Sequence, residues 1–264
     1  MTRILGESKI DIWSREELIV SFNLYCKIPF SKINYRNPDI INLAALIGRT
    51  PSSVALKLVN FARLDPALQK RNISGMKHGS KSEEEIWNEF YGNWENLAYE
   101  SELLLADLKN EPIEKSAKID FNNLPKEGKE RDTLIKARVN QSFFRFVVLT
   151  SYENKCCITG LSIPDLLVAS HIIPWSLDEK IRLSPDNGLC LNMLHDKAFD
   201  KGLITITPDY KVKLSPALNK LKDKTALENF FIQFEGKTIQ LPERFIPDRT
   251  FLKYHNDNIF RSKT

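Results

Sequence analysis

Two histidines and one asparagine in the second half of the chain form a spaced set that can do acid–base and metal chemistry. His171 and His195 are two of only four histidines, and Asn187 lies between them in an Asn-Gly pair. A histidine with a pKa of about 6.5 can accept a proton from water, and a neutral imidazole can bind a divalent metal. Hydrolysis of a phosphodiester needs such a base and positive charge at the phosphate. The set therefore predicts metal-assisted phosphodiester hydrolysis.

Short strands and a short helix are expected to position these residues. The apolar runs predict one strand over residues 166–173 and a second over 188–191. A short helix is expected over 192–201, stopped by Gly202, and a hairpin over 203–207 and 211–214. On this layout His171 ends a strand, Asn187 can pin the following loop and orient the imidazole, and His195 lies in the first turn of the helix. Either histidine alone would more simply be a core residue, but the ordered set favours a site.

These residues resemble the motif of HNH endonucleases, whose fold is called ββα-metal. The segments that carry the resemblance are Ala169-Ser170-His171-Ile172, Asn187-Gly188-Leu189 and His195-Asp196-Lys197-Ala198-Phe199-Asp200. Two further segments resemble the branch found in bacterial restriction-type nucleases, namely Cys157-Ile158-Thr159-Gly160 and Gly202-Leu203-Ile204. The resemblance spans residues 133–260. It implies that His171 is the general base, that Asn187 orders the loop, and that His195 binds Mg²⁺ or Mn²⁺.

The metal ligands of such a site are incomplete in this sequence. Ser170 stands where many HNH nucleases have an aspartate or histidine ligand, and Phe199 stands where some have a further histidine. A hydroxyl is a poorer ligand than a carboxylate for a hard divalent ion. Asp196 and Asp200 are candidates to complete the metal shell, although Asp200 is five residues from His195 and could instead form a supporting hydrogen bond.

A structural zinc site is not expected. Cys157 is followed by Gly160 where a paired cysteine would stand, and only Cys190 is nearby. All four cysteines lack the spacing of a disulfide framework and are expected to be reduced thiols of a cytoplasmic protein. The two other histidines, His78 and His255, are isolated and expected to be surface or structural residues.

The composition is that of a globular protein with room for two domains. The chain has 264 residues, of which 42% are hydrophobic and 27% charged, with a formal net charge of +4. This charge permits a polyanionic partner without requiring one. No apolar run approaches the length of a membrane span, and the first residues lack the apolar run of a signal peptide.

The first part of the chain predicts helices, two of which have helix-turn-helix spacing. Residues 39–47 and 51–62 have helical patterns separated by Gly48-Arg49-Thr50. Gly48 suits a helix stop, and Thr50 with Pro51 suits a helix start. A plain helical hairpin explains the spacing equally well. If the segment does bind DNA, the candidate contacts on it are Arg49, Ser52, Ser53 and Lys57; in the second half they are Arg138 and Arg145.

The overall expectation is an α+β protein with a helical domain over residues 1–108, a linker over 109–131 and an HNH nuclease domain over 132–264. Residues 83–108 predict continued helix. The segments Trp13-Ser14-Arg15-Glu16-Glu17-Leu18 and Ile47-Gly48-Arg49-Thr50-Pro51-Ser52-Ser53-Val54 resemble a module joined to such nucleases. The resemblance implies a DNA-reading domain, in some relatives for DNA with modified cytosines.

Three functions are compatible with these features. The first is a restriction endonuclease acting on double-stranded DNA, with dependence on cytosine modification as its more specific form. The second is a relaxed-specificity effector nuclease activated by another defence component, and the third is a non-catalytic DNA-binding regulator. The retention of His171, Asn187 and His195 together argues against the third. Because cutting both strands requires two active sites, the sequence also suggests a homodimer.

Overall fold

The computed structural model describes residues 12–73, 79–119, 128–220 and 224–263. Its first part consists of the helices α1 (Arg15–Lys27), α2 (Pro38–Leu46), α3 (Pro51–Ala62), α4 (Pro66–Gln69), α5 (Lys81–Phe90), α6 (Trp94–Leu108) and α7 (Ile113–Ser116). The second part contains α8 (Lys129–Ser151), β1 (Leu167–His171), β2 (Gly188–Asn192), α9 (Met193–Asp200), β3 (Ile204–Ile206), β4 (Val212–Leu214), α10 (Lys224–Phe230) and α11 (Arg249–Asn258). This mixture of helices and strands confirms the predicted presence of both kinds of secondary structure. None of the helices in the described ranges is long and apolar enough to cross a membrane.

Helix α1 is the centre of the helical part. The Ser14 hydroxyl accepts the Glu17 N–H at 3.2 Å, and the Glu17 carboxylate accepts the Ser14 N–H at 2.8 Å, which is a capping box. Along α1, the ring of Phe22 lies 5.0 Å from Phe61 of α3 and 5.3 Å from Trp87 of α5, measured between ring centres. Because these large rings are buried together, they tie three helices into one core.

The turn between α2 and α3 forms as its sequence predicts. Gly48 has φ +68°, which an L side chain rarely adopts, and the next N–H, of Arg49, donates to the Ala44 carbonyl at 2.9 Å to close α2. The Thr50 side chain caps α3, and Pro51 is its first residue. The helix boundaries agree with the predicted ones to within one residue. A DNA-binding role for this helix pair stays a prediction.

The helical pattern over residues 83–108 forms two helices, α5 and α6. Gly92 lies between them with φ +88°, a backbone conformation that a helix does not contain. The apolar residues of this stretch are nevertheless buried, as the pattern indicated, at Trp87, Phe90, Trp94 and Leu97.

The second part contains the two strands, the short helix and the hairpin in the predicted order. β1 and β2 are antiparallel, with Leu167 opposite Asn192 and His171 opposite Gly188. β3 and β4 form a separate antiparallel pair. Helix α8 packs on both β1 and β2, and α9 follows β2 directly.

The two parts share a continuous core. Buried side chains of both belong to one hydrophobic cluster, and α8 contacts α1 and α6. The expected linker, residues 109–131, contains α7 and the start of α8, while its residues 120–127 lie outside the described ranges. The division into domains at 108 and 132 therefore stays a prediction.

His255 of α11 is a buried structural residue, whereas His78 lies outside the described ranges. The His255 residue is 1% exposed, its Nε2 lies 3.2 Å from the Phe199 carbonyl, and its Nδ1 lies 2.8 Å from the Thr205 hydroxyl. Because a carbonyl can only accept, Nε2 donates to it, and in the neutral ring Nδ1 accepts from the hydroxyl. Burial lowers the pKa of His255 to about 4.

We expect this histidine to make the folded protein less stable in acid. As the pH falls from about 6.5 to about 4, the unfolded chain binds a proton at His255 that the folded chain does not, at a cost on the order of 3 kcal/mol. Urea unfolding across this pH range measures the loss. The His255→Gln variant should lose less stability over the same range, and an equally steep loss would contradict the assignment.

Candidate functional site

The start of β2 lies very close to α8, which explains the glycine after Asn187. A Cβ atom at Gly188 would overlap the Val148 side chain of α8. Only a glycine lets the strand and the helix approach this closely. Because His171 is paired with Gly188, it lies at the end of the β1–β2 sheet, where the strand gives way to a loop.

The Asn187 side chain holds the chain just after His171. Asn187 is fully buried; its Oδ1 accepts the Ile173 N–H at 2.8 Å and its Nδ2 donates to the Ile173 carbonyl at 3.1 Å. Its backbone carbonyl also accepts the Ile172 N–H at 2.9 Å. These three hydrogen bonds hold the beginning of the loop against the start of β2.

The imidazole of His171 is held by two rings and one carbonyl. It stacks on Phe144 with ring centres 4.0 Å apart and meets Trp175 edge-on at 5.5 Å. Its Nε2 lies 2.9 Å from the Arg182 carbonyl, so Nε2 carries the proton and Nδ1 keeps a lone pair. Burial lowers the pKa of His171, with smaller opposing effects of the Arg182 carbonyl and Asp196. The ring is therefore neutral at neutral pH and can accept a proton.

His171 faces a cleft of about 530 Å³ that is also lined by Ser170, Asp196 and Asp200. The two aspartates are four residues apart on α9 and so share one face of the helix. Burial raises the pKa of Asp196, and the charge of Asp200 raises it further. The Ser170 hydroxyl is near enough to lower that pKa, yet it is buried without a hydrogen bond of good geometry.

This cleft has the chemistry of a site for a hard divalent cation, although its ligand set is partial. Two neighbouring carboxylates and an unsatisfied hydroxyl are oxygen donors of the kind that Mg²⁺ and Mn²⁺ prefer. Within the described ranges, no three His, Cys, Asp or Glu side chains already stand close enough together to hold a metal ion. Water or substrate oxygens would have to complete the coordination.

The structure places His195 outside this cleft, away from the other candidate metal ligands. His195 is 3% exposed, its Nε2 lies 2.8 Å from the Phe230 carbonyl, and its Nδ1 lies 3.0 Å from the Asn192 amide nitrogen. Nε2 must then donate to the carbonyl, and Nδ1 accepts from the amide. With both nitrogens engaged, this side chain has no lone pair for a metal. Asp196 is the residue of the first turn of α9 that faces the cleft.

Arg49 and Lys57, both candidate DNA contacts, form ion pairs within the protein. Arg49 binds both carboxylate oxygens of Glu17 at 2.8 Å, and Lys57 lies 2.5 Å from a carboxylate oxygen of the fully buried Glu83. Both cations also lie over the ring of Trp13. Drawing Lys57 to a phosphate would leave a buried carboxylate unpaired, which is costly. Both residues thus contribute ion pairs to the helical part, and their contact with DNA stays a prediction.

The other expected DNA contacts lie on two separate helices. Ser52 is exposed and Ser53 half-buried in the first turn of α3. Arg138 and Arg145 are exposed on α8, where Arg145 also donates to the Leu167 carbonyl at 3.0 Å. Arg145 is thus adjacent to the sheet that carries His171.

Sequence reasoning missed the residues that support His171. The carbonyl of Arg182 binds its ring, while the Arg182 guanidinium lies 5.1 Å from the Trp175 ring centre and 3.4 Å from Glu95 of α6. Phe144 of α8, which stacks on the ring, is a further supporting residue. No local pattern indicates these contacts, since one is made by a backbone atom and the others join distant segments.

A comparison with protein families identifies the region around this cleft. Residues 156–207 match the HNH endonuclease family. The matched region contains His171, Asn187, Asp196 and Asp200, and it supports a nuclease that acts on DNA. The match does not extend to the first eight helices. The comparison with curated proteins finds no match.

We expect Asn187→Ala to lower the free energy of unfolding by about 2 kcal/mol, because it leaves the Ile173 N–H and carbonyl without partners. Asn187→Asp should do no better, since it removes the donor and places a carboxylate against the carbonyl. Urea unfolding measures the change, with the exposed Asn93→Ala as the control. An Asn187→Ala protein as stable as the control would show that these bonds do not hold the loop.

Proposed function

We propose that this protein is a metal-dependent DNA endonuclease in which His171 is the general base. The proposal rests on the hydrogen bonding and the position of the His171 ring. Its Nε2 is bound to the Arg182 carbonyl, and the ring faces a cleft with two carboxylates. The family match at residues 156–207 supports the same reaction class.

The proposed hydrolysis follows from this geometry. Nδ1 of His171 takes a proton from a water molecule in the cleft, the water oxygen attacks the phosphorus, and the bond from phosphorus to the leaving oxygen breaks. As the imidazole becomes positively charged, the Arg182 carbonyl stabilises it through the Nε2 proton. Asn187 keeps the strand end in place, while Phe144 and Trp175 limit rotation of the ring.

A divalent ion would be held by the oxygens of Asp196, Asp200 and Ser170. When bound, it supplies positive charge that stabilises the phosphate in the transition state. This assignment keeps Ser170 and Asp200 from the sequence prediction and replaces His195 by Asp196, because His195 faces away from the cleft.

The DNA contacts and the biological role are further parts of the proposal. Arg138 and Arg145 on α8 would contact phosphates near the cleft, and Ser52 and Ser53 would do so if the α2–α3 pair reads DNA. We propose a restriction role with a homodimer that cuts both strands, and with a preference for modified cytosines as its most specific form. A relaxed nuclease activated by another component is the alternative.

Metal binding to the full-length protein tests the ligand assignment without requiring cleavage. We expect Mn²⁺, followed by the electron paramagnetic resonance of the free ion, to bind about tenfold more weakly to Asp196→Asn and to Asp200→Asn, since each loses a charged ligand. The exposed Asp165→Asn is the matched control. If His195→Gln weakened Mn²⁺ binding and the two cleft variants did not, the cleft would not be the metal site.

Cleavage assays test the reaction and its specificity. With Mg²⁺ or Mn²⁺, the protein should cut DNA, and His171→Ala should be at least about 100-fold slower because it lacks the base. The wild-type rate should fall in acid, as the His171 ring becomes protonated. Matched DNA with and without modified cytosines separates the roles. Cutting of only the modified DNA supports modification-dependent restriction, cutting of only the unmodified DNA supports restriction without that dependence, and equal cutting of both favours the relaxed nuclease. No cutting of either would overturn the enzyme proposal.

A further inference from the structure

A second cavity, of about 350 Å³, lies between the helical part and the segment that leads into Asn187. Three aromatic side chains line it, namely Tyr91, Trp94 and Phe245. The carboxylates of Asp186 and Asp248 line it as well. Nothing in the proposed hydrolysis uses this cavity.

The aromatic rings of this cavity meet at steep angles. Tyr91 and Trp94 have ring centres 5.2 Å apart at 69°, and Trp94 and Phe245 have centres 5.7 Å apart at 88°. The Trp94 indole is also held by a 3.3 Å hydrogen bond to the Ser184 hydroxyl. A planar base would need parallel rings above and below it, whereas rings at right angles form the corner of a cage. Such a corner suits a compact cation, which can lie against the faces of more than one ring.

The charges in the cavity also favour a cation. Burial raises the pKa of Asp186, and the nearby charge of Asp248 raises it further. The hydroxyls of Ser184 and Thr250 donate to these carboxylates, but no ion pair among the described residues includes either one. Lys70 lies at the edge of the cavity and is exposed. Two neighbouring carboxylates without a paired cation repel each other, and a bound positive charge would relieve that repulsion.

We propose that this cavity binds an organic cation, a methylated or primary ammonium group, between the three aromatic rings and the carboxylates of Asp186 and Asp248. The aromatic rings contact the apolar surface of the ammonium group, and the carboxylates balance its charge. Because Asp186 directly precedes Asn187, the bound cation would lie next to the segment that orders His171.

A titration of the full-length protein with choline tests the proposal, and 3,3-dimethylbutanol is the matched control because it has the same shape without the charge. Binding is followed by the nuclear magnetic resonance signal of the Trp94 indole N–H, assigned with Trp94→Phe. We expect a saturable shift with choline and none with the alcohol. Asp186→Asn should weaken choline binding about tenfold. This variant should remain folded, since it removes a carboxylate that is destabilised by burial and by repulsion.

Two further arms complete the experiment. The exposed Asp165→Asn should bind choline like the wild type, and Tyr91→Leu should bind it more weakly because it replaces a ring face with an alkyl group. A peptide with trimethyllysine that binds more tightly than choline would identify the source of the cation as a protein side chain; weaker binding would favour a free amine. Equal shifts with choline and the alcohol, or saturable binding of deoxycytidine monophosphate in preference to choline, would overturn the proposal.

Discussion

The burial of one guanidinium joins the beginning of the fold to its end. Arg244 is 3% exposed, donates to the Tyr25 carbonyl at 2.8 Å and to the Ile28 carbonyl, and lies 3.9 Å from the Asp65 carboxylate. Its guanidinium also lies 4.1 Å from the ring centre of Tyr25. A charge removed from water is tolerated only when hydrogen bonds and opposite charge surround it. The carboxy-terminal segment must therefore pack against the end of α1 whenever Arg244 is buried.

That packing reaches the site through the backbone. Four residues after Arg244, the N–H of Asp248 donates to the carbonyl of Asp186 at 3.0 Å. The residue after Asp186 is Asn187, whose side chain bonds the backbone N–H and carbonyl of Ile173, two residues after His171. The orientation of the proposed base thus rests on contacts from the helical part, the carboxy-terminal segment and α8 together. This dependence is consistent with a continuous core and explains why the matched family region alone does not include all the supporting residues.

The rotation of α9 decides which of its side chains reach the cleft. His195 and Asp196 are neighbours in sequence but point in different directions, since each residue of a helix turns by about 100°. Asp196 and Asp200 share a face and line the cleft, whereas His195 packs edge-on against Phe231 and bonds the Phe230 carbonyl. In the proposed metal site, Ser170 is therefore joined by carboxylates rather than by an imidazole.

The sequence by itself determined the order of the main elements and many of their ends, but not the break between α5 and α6. The Gly48–Pro51 turn, the Ser14 cap and the strands around Asn187 all depend on residues within a few positions, whose conformational preferences act locally. Only the tertiary structure decided the directions and partners of the charged and imidazole side chains. Lys57 forms an ion pair with Glu83 on another helix, and His195 forms a hydrogen bond with a carbonyl 35 residues away. Burial makes these partners necessary, because a charge or ring nitrogen removed from water must form a hydrogen bond or ion pair. Packing of the folded chain decides which group lies near enough, even when that group is distant in the sequence.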